Sequence, residues 1–395
     1  MSTPTIALIA SGTNGAGAVA SRITAMASGL SHCGWHVDIH DVALTRPSLV
    51  QRLLDQTPAS PRTLLERCGI EGDVMPSIGW RARTRLDTIA ADAAIVSGPP
   101  FSLLAAGALA VPANLSWIVD YRDPCSARAH PPPLARILRR AERWAATRAT
   151  AVTFAGGPRL ADLLVTRLHI TRDKIVAVPN GHDPHDLAGL PTHRLRADRN
   201  GCPLDLVFGG YWYGRNGPGI LVDALARVGP AIASLTVIGA VTPAVQARIH
   251  RAVGDTCRIV PSMPRPQLYQ RLAHADAMII PLDLSSAVES RIPAKVYDGL
   301  ATGTPIIALC PADAALLTVP GGNRIHHVDY RDTQKLASLF TSAAADRSVL
   351  RSGPLGAGPT RDAGIKGLDS LLRSVCTHPA DQPVFLADGA HRGQR

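Results

Sequence analysis

The chain has 395 residues, 46% of them apolar and only 4% aromatic, and carries a formal charge of +10. That length suits two domains of about 100–200 residues each, and the apolar content excludes a wholly disordered chain. The longest apolar stretch, Leu103 to Val111 with Gly107 inside it, is far short of the roughly 20 residues that cross a bilayer.

The amino end, Met1-Ser-Thr-Pro-Thr5, lacks the basic start of a leader and runs straight into a strand-like segment. The seven cysteines are scattered without any Cys-x-x-Cys pair. Both features point to a reducing, cytoplasmic setting. Arginine greatly outnumbers lysine, and with alanine, glycine and proline it reads as a bias of the whole composition. Basic runs interleaved with aromatics are missing, so no nucleic-acid partner is expected.

In chain order, Thr5-Ile-Ala-Leu-Ile-Ala10 reads as a strand, ending in Ser11-Gly12-Thr13-Asn14-Gly15-Ala16-Gly17. A helical pattern follows through Ala27, then Gly34-Trp-His-Val-Asp-Ile-His-Asp41 alternates like a second strand. This β–loop–α–β opening starts a doubly wound sheet. Further strands are expected at 93–97, 115–120, 151–154 and 175–178. A second series has strands at 204–208, 235–238, 258–260, 277–280 and 305–309, with helices such as 220–228 and 267–273 between them. The expected organisation is an α/β chain of two Rossmann-like, doubly wound domains facing a cleft. The first covers 1–187, a polar linker 188–203, the second 204–376, and a frayed tail 377–395.

The loop Gly12-x-x-Gly15-x-Gly17 lets backbone N–H groups approach an anion at a helix start. Asp41 ends the next strand, where a nicotinamide enzyme holds a ribose, so an NAD-dependent oxidoreductase is one reading. The spacing is not Gly-x-Gly-x-x-Gly, however, and no Tyr-x-x-x-Lys pair occurs. A tight turn without a ligand is the plainer alternative.

The stretch Ile292-Pro-Ala-Lys295-Val-Tyr-Asp298-Gly-Leu-Ala-Thr-Gly303-Thr-Pro305 is the most informative. Lys295 and Asp298 share one face of a predicted helix. Pro293 suits its first turn and Gly303 its end. A cation in a first turn opposes the helix dipole, which makes sense where a diphosphate must be held. The alternative is a solvated Lys–Asp pair. Gly209-Gly-Tyr-Trp-Tyr-Gly214-Arg215-Asn-Gly-Pro218 follows the first strand of the second series. From there Arg215 can add fork-like hydrogen bonds to the same diphosphate.

Five pieces, in order over about 300 residues, resemble GT-B glycosyltransferases of the large retaining family 4 type. They are the first glycine loop with Gly34-Trp-His-Val37, Ser97-Gly-Pro-Pro100, Asp120-Tyr-Arg-Asp-Pro124, Val178-Pro-Asn-Gly-His-Asp183, and Arg215 with Pro-x-Lys295. The resemblance implies that Arg215 and Lys295 grip a nucleotide diphosphate and act on the leaving group. It implies that Asp298, where the family has glutamate, holds the ribose hydroxyls. It places Asn14 and Gly15 near the donor phosphate and the acceptor. The first acid of the family's Glu-x7-Glu pattern falls on Ser290, with Glu289 beside it, towards the donor sugar. On the acceptor side the candidates are Asp120, Arg122 and Asp123, at the carboxyl end of a predicted strand. The implied reaction moves a sugar from a nucleotide-sugar donor, most commonly a UDP-sugar, to an acceptor hydroxyl with retention.

No Asp-x-Asp occurs, so no metal clamp is expected and no cofactor is assigned. The acceptor is read as a natural product such as an aminoglycoside core, with a cell-surface glycan or lipid-linked acceptor as the alternative. A nucleotide-sugar 2-epimerase and a non-catalytic sugar-nucleotide binder stay open. His182, after Asn180-Gly181, reads as part of a structural loop. The segment Leu134–Trp144 is a basic amphipathic helix with Arg136, Arg139, Arg140 and Arg143 around an apolar stripe. It reads first as a domain helix with that stripe in the core, and second as a surface for anionic lipid.

Overall fold

The computed structural model describes residues 3–11, 13, 18–42, 90–98, 101–122, 132–190, 199, 201–210, 212, 218–282 and 292–377. The chain divides into two compact units. One runs to Pro179 and resumes at Asp362, and the other is Asn180–Arg361.

The first unit holds β1 (Thr5–Ala10), α1 (Ala18–His32), β2 (His36–Asp41), β3 (Ala93–Gly98), α2 (Phe101–Ala110), β4 (Ser116–Tyr121), α3 (Pro132–Arg148), β5 (Ala151–Phe154), α4 (Pro158–Leu168) and β6 (Ile175–Ala177). Its strands form one parallel sheet in the order β2-β1-β3-β4-β5-β6. Every residue of β3 and β4 is buried, as expected of parallel strands covered on both faces, whereas edge strand β2 is largely exposed and correspondingly polar.

The second unit holds β7 (Leu204–Gly209), α5 (Pro218–Val228), β8 (Ala233–Ile238), α6 (Pro243–Val253), β9 (Cys257–Val260), α7 (Arg265–His274), β10 (Ala277–Pro281), α8 (Lys295–Ala301), β11 (Ile306–Leu309), β12 (Ile325–Val328) and α9 (Thr333–Ala345). Its sheet is also parallel, in the order β12-β11-β10-β7-β8-β9. Local chemistry sets the helix ends. Thr242 caps α6 through Val245 N with Pro243 in its first turn, and Asp332 caps α9 through Lys335 N. Gly303 takes φ +65° just past α8, the stop expected of it.

All the expected strands are present within one or two residues. β12 is the strand that the sequence reading lacks, because Ile325-His-His-Val328 puts two polar residues inside four. The last helix, α10 (Arg361–Thr377), lies in the first unit although the sequence alone keeps it with the second. Its apolar face, Ile365, Leu368, Leu371, Leu372 and Val375, completes a core with Leu8, Ile23, Met26, Leu30 and Trp35. Trp35 Nε1 donates to Asp369 at 2.7 Å, and Ser116 Oγ donates to the Val375 carbonyl at 2.9 Å. Gly181, at φ +53°, packs on the backbone of Thr360, where any Cβ would lie 2.6 Å from main-chain atoms. The Asn180-Gly181-His182 loop therefore requires glycine at its centre.

Candidate functional site

Each sheet has a switch point, where successive connections leave in opposite directions and open a crevice at the strands' carboxyl ends. In the second unit it lies between β7 and β10. The loop leaving β7 begins Gly209-Gly210, and the connection after β10 ends at Lys295, the first residue of α8. Lys295 Nζ lies 4.3 Å from the Phe208 ring centroid, and a Cβ on Gly210 would be 3.4 Å from it. The ammonium thus sits over the carboxyl end of β7.

The floor of this corner is built by close backbone packing. Gly210 N donates to Ile238 O at 2.8 Å and Trp212 N to Ala240 O at 2.9 Å. Gly239 has φ +139°, and a Cβ there would stand 2.2 Å from Gly210 O, so only glycine fits. Trp212 is buried, and its ring lies 5.0 Å from that of Phe208. Phe208 is thereby fixed between Trp212 and the lysine.

Burial pushes the Lys295 ammonium down to about 8, against the opposing field of Asp298. Among the described residues no carboxylate forms an ion pair with it. A half-desolvated cation at a switch point, lying on an aromatic face, suits an anionic ligand.

Asp298 lies one turn on and is 8% exposed. Its Oδ1 accepts from Tyr269 Oη at 2.9 Å. Tyr269 is also hydrogen-bonded to Arg265, whose Nε lies 4.0 Å from Asp186 Oδ2. Burial raises the Asp298 carboxyl above its ordinary range despite the pull of Arg265, the Tyr269 hydroxyl and Lys295. The carboxylate expected to meet ribose hydroxyls is thus joined to α7. Burial also lowers His182, against the raising effect of its Pro359 backbone hydrogen bond and the fields of Asp183, Asp298 and Asp186. The sequence reading missed Arg265 and Tyr269. A tyrosine and an arginine four apart on a short polar helix carry no signal of what they face.

In the first unit Asp120 is fully buried at the end of β4, and Arg22 of α1 faces it. Arg22 Nη2 donates to Oδ1 at 2.6 Å and Nε to Oδ2 at 3.1 Å. Ser97 and Thr153 hydroxyls donate to the same carboxylate at 2.7 and 2.9 Å. Arg22 Nη1 also donates to the Val178 carbonyl at 2.9 Å. Burial alone would raise the Asp120 carboxyl, but the Arg22 charge and these donors outweigh it and hold it below the ordinary range. The acceptor-side reading of Asp120 is therefore corrected: both oxygens are committed inside the unit. The sequence reading missed Arg22, although it is the one basic residue in an otherwise small and apolar run, Ala18 to Leu30.

Asp41 accepts from both the backbone N and the hydroxyl of Thr13. This ties Thr13 to the end of β2, which weakens the reading of Asp41 as a ribose holder. Arg122, just past β4, is half-buried, and its N donates to Gly98 O at 2.9 Å. The remaining candidates, Asn14, Gly15, Asp123, Arg215, Glu289 and Ser290, lie outside the described residues. Of the expected diphosphate pair, the structure therefore places only Lys295.

Two doubly wound units of this topology define the GT-B fold. Residues 17–181 match the family model described as glycosyl transferase 4-like domain. Among solved structures, sucrose-phosphate synthase from Thermosynechococcus elongatus is similar at TM-score 0.61 and 17% identity, over 93% of this chain and 94% of that one. HepE from Anabaena, in complex with UDP, gives TM-score 0.54 at 17% identity over 93% and 95% of the two chains. AviGT4, a glycosyltransferase involved in avilamycin A biosynthesis, gives TM-score 0.54 at 14% identity over 95% and 98%. UDP-N-acetylglucosamine 2-epimerases share the fold as well. At these identities the likeness establishes the fold. No curated protein sequence matches significantly.

Proposed function

We propose that the chain is a glycosyltransferase that moves a sugar from a UDP-sugar to an acceptor hydroxyl with retention and without a metal. The observation that carries this reading is the Lys295 ammonium at the β7/β10 switch point, over Phe208 and beside the Gly210 backbone. The glycosyl transferase 4-like match at 17–181 supports the reaction class, and a related fold crystallised with UDP supports the donor.

In this reading Lys295 and Arg215 hold the donor diphosphate. Asp298 lies towards the ribose, while Glu289 and Ser290 lie towards the sugar. The bond from the anomeric carbon to the β-phosphate oxygen breaks as the acceptor oxygen bonds to that carbon from the same face. The acceptor proton passes to the departing phosphate, and the two cations stabilise the charge that develops there. Asn14, Gly15, Arg122 and Asp123 are assigned to the acceptor side and the donor phosphate. A natural-product acceptor, such as an aminoglycoside core, is the first reading, because AviGT4 acts in avilamycin biosynthesis. An acceptor presented on a lipid surface is the second, favoured by the outward face of α3. The NAD reading has lost a support, because Asp41 is engaged by Thr13.

The test is incubation of the full chain with UDP-sugars and a panel of hydroxylated acceptors, without metal, with the product's anomeric configuration read by NMR. An α-linked product from an α-configured donor is expected. Conversion of UDP-N-acetylglucosamine to its C2 epimer with no acceptor present would overturn transfer in favour of epimerisation.

A further inference from the structure

Helix α3 presents two unlike faces. One carries Glu142, Ala145 and Ala146, all buried, and the two alanines join Ala149, just past the helix, in the core of the first unit. This is the domain-helix role expected first, and among the described side chains alanines fill it, while Ile137 of the expected stripe does not. Ala141 is only half-buried, and the Leu134 and Leu138 side chains lie outside the description.

The other face points outward. Ile137 is 63% and Trp144 38% exposed. They are seven residues apart, so they lie on one line along the helix. Arg136, Arg139, Arg140 and Arg143 are all exposed beside them. Arg148 stacks over the Trp144 ring, its guanidinium carbon 5.8 Å from the centroid. The single acid of the helix, Glu142, is on the buried face. Leu109, on the α2 helix packed against α3, is 59% exposed.

We propose that this face docks the protein on an anionic lipid surface, with Trp144 and Ile137 entering the headgroup–acyl boundary and the arginines meeting lipid phosphates. Charge complementarity selects the occupant's sign, and the exposed isoleucine and indole select its kind. A nucleic-acid backbone has no use for an isoleucine, whereas an interfacial helix combines basic residues with an apolar line that includes tryptophan. Arginine stems bury along such a boundary while their heads stay among phosphates. No described helix is long and apolar enough to cross a membrane, so the contact is peripheral. The proposal stands apart from the donor chemistry, because every residue in it lies on α3 or α2 of the first unit.

The experiment sediments the full chain with vesicles of phosphatidylcholine alone, and of phosphatidylcholine and phosphatidylglycerol in equal amounts. Binding to the anionic vesicles only is expected, and it weakens as salt is added. Each arginine removed costs about fivefold, so Arg136→Gln with Arg140→Gln lowers binding about 25-fold. Ile137→Gln lowers it about tenfold with no change in UDP affinity. Vesicles also blue-shift the tryptophan emission, and Trp144→Phe abolishes that shift. Equal binding to neutral vesicles, no binding to either, or undiminished binding of the arginine double variant overturns the proposal. So does duplex DNA that displaces the vesicles while Ile137→Gln behaves as wild type, which would make the face a nucleic-acid surface.

Discussion

Each unit sets a cation at the carboxyl edge of its sheet, and the two cations are used in opposite ways. Arg22 in the first unit meets Asp120 through two nitrogens and also donates to the Val178 carbonyl. Lys295 in the second unit has an aromatic face, a glycine turn and the more distant field of Asp298, but no ion-paired carboxylate among the described residues. A charge committed to the fold is thus distinguished from one left for a ligand by the carboxylate it meets. A neutralised, fully buried pair holds strands together and can do little else. A desolvated cation short of a counter-ion is stabilised when an anion arrives.

The contrast can be broken from either side. The largest effect is expected at Asp120. Asp120→Ala strands Arg22 in the interior and should lower unfolding free energy by about 3–5 kcal/mol, read from denaturant curves. Unchanged stability with loss of transfer would return Asp120 to the acceptor site. Gly239→Ala acts on the other unit. Its Cβ cannot share space with Gly210 O, and the strained turn should cost about 1–3 kcal/mol. That cost should appear both in thermal unfolding and as weaker UDP binding, because Gly210, which packs against Lys295, must shift.

The third effect depends on pH. The Lys295 ammonium titrates near 8 in the free protein, and a bound diphosphate requires it charged. UDP affinity should therefore be level below about pH 8 and fall up to about tenfold per unit above it. Lys295→Arg should remove that fall, since a guanidinium stays charged. Stability runs the other way. The folded-state value lies below the ordinary lysine value, so the penalty is full below about pH 8 and is relieved as pH rises towards 10.5. Relative to Lys295→Met, wild type should gain stability across that window. The smallest effect is expected from Tyr269→Phe. Loss of its bond to Asp298 should cost about 1 kcal/mol in thermal unfolding and leave UDP affinity within about twofold.

The α/β alternation was legible because parallel strands are buried on both faces and appear as apolar runs between Gly- and Pro-marked turns. Ala93–Gly98 and Ile306–Leu309 are such runs. β12 was not, since a strand of two histidines between Ile325 and Val328 has no such run. The return of α10 to the first unit was also hidden. Its amphipathic face fits either core, and tertiary contacts such as the Trp35–Asp369 and Ser116–Val375 bonds and the packing on Leu8 and Leu30 decide between them. At the site, Lys295 was legible from Pro293 and Gly303 framing a short helix. Its seat was not, because Phe208 and Gly239 come from separate strands and meet it only through the sheet order. Asp120 looked like an acceptor residue because a carboxylate at a strand end reads alike whether it faces solvent or a buried arginine.

The proposed nucleotide-diphosphate site in the second unit stands or falls on Lys295. The most direct test is calorimetric titration of UDP, GDP and NAD into the metal-free full chain and into Lys295→Ala. UDP is expected to bind, and the variant to bind it about 10- to 150-fold more weakly, the loss of one charge-assisted contact of about 1.5–3 kcal/mol. NAD binding untouched by the substitution, with no binding of UDP or GDP, would contradict the claim and move the site to the loop after β1.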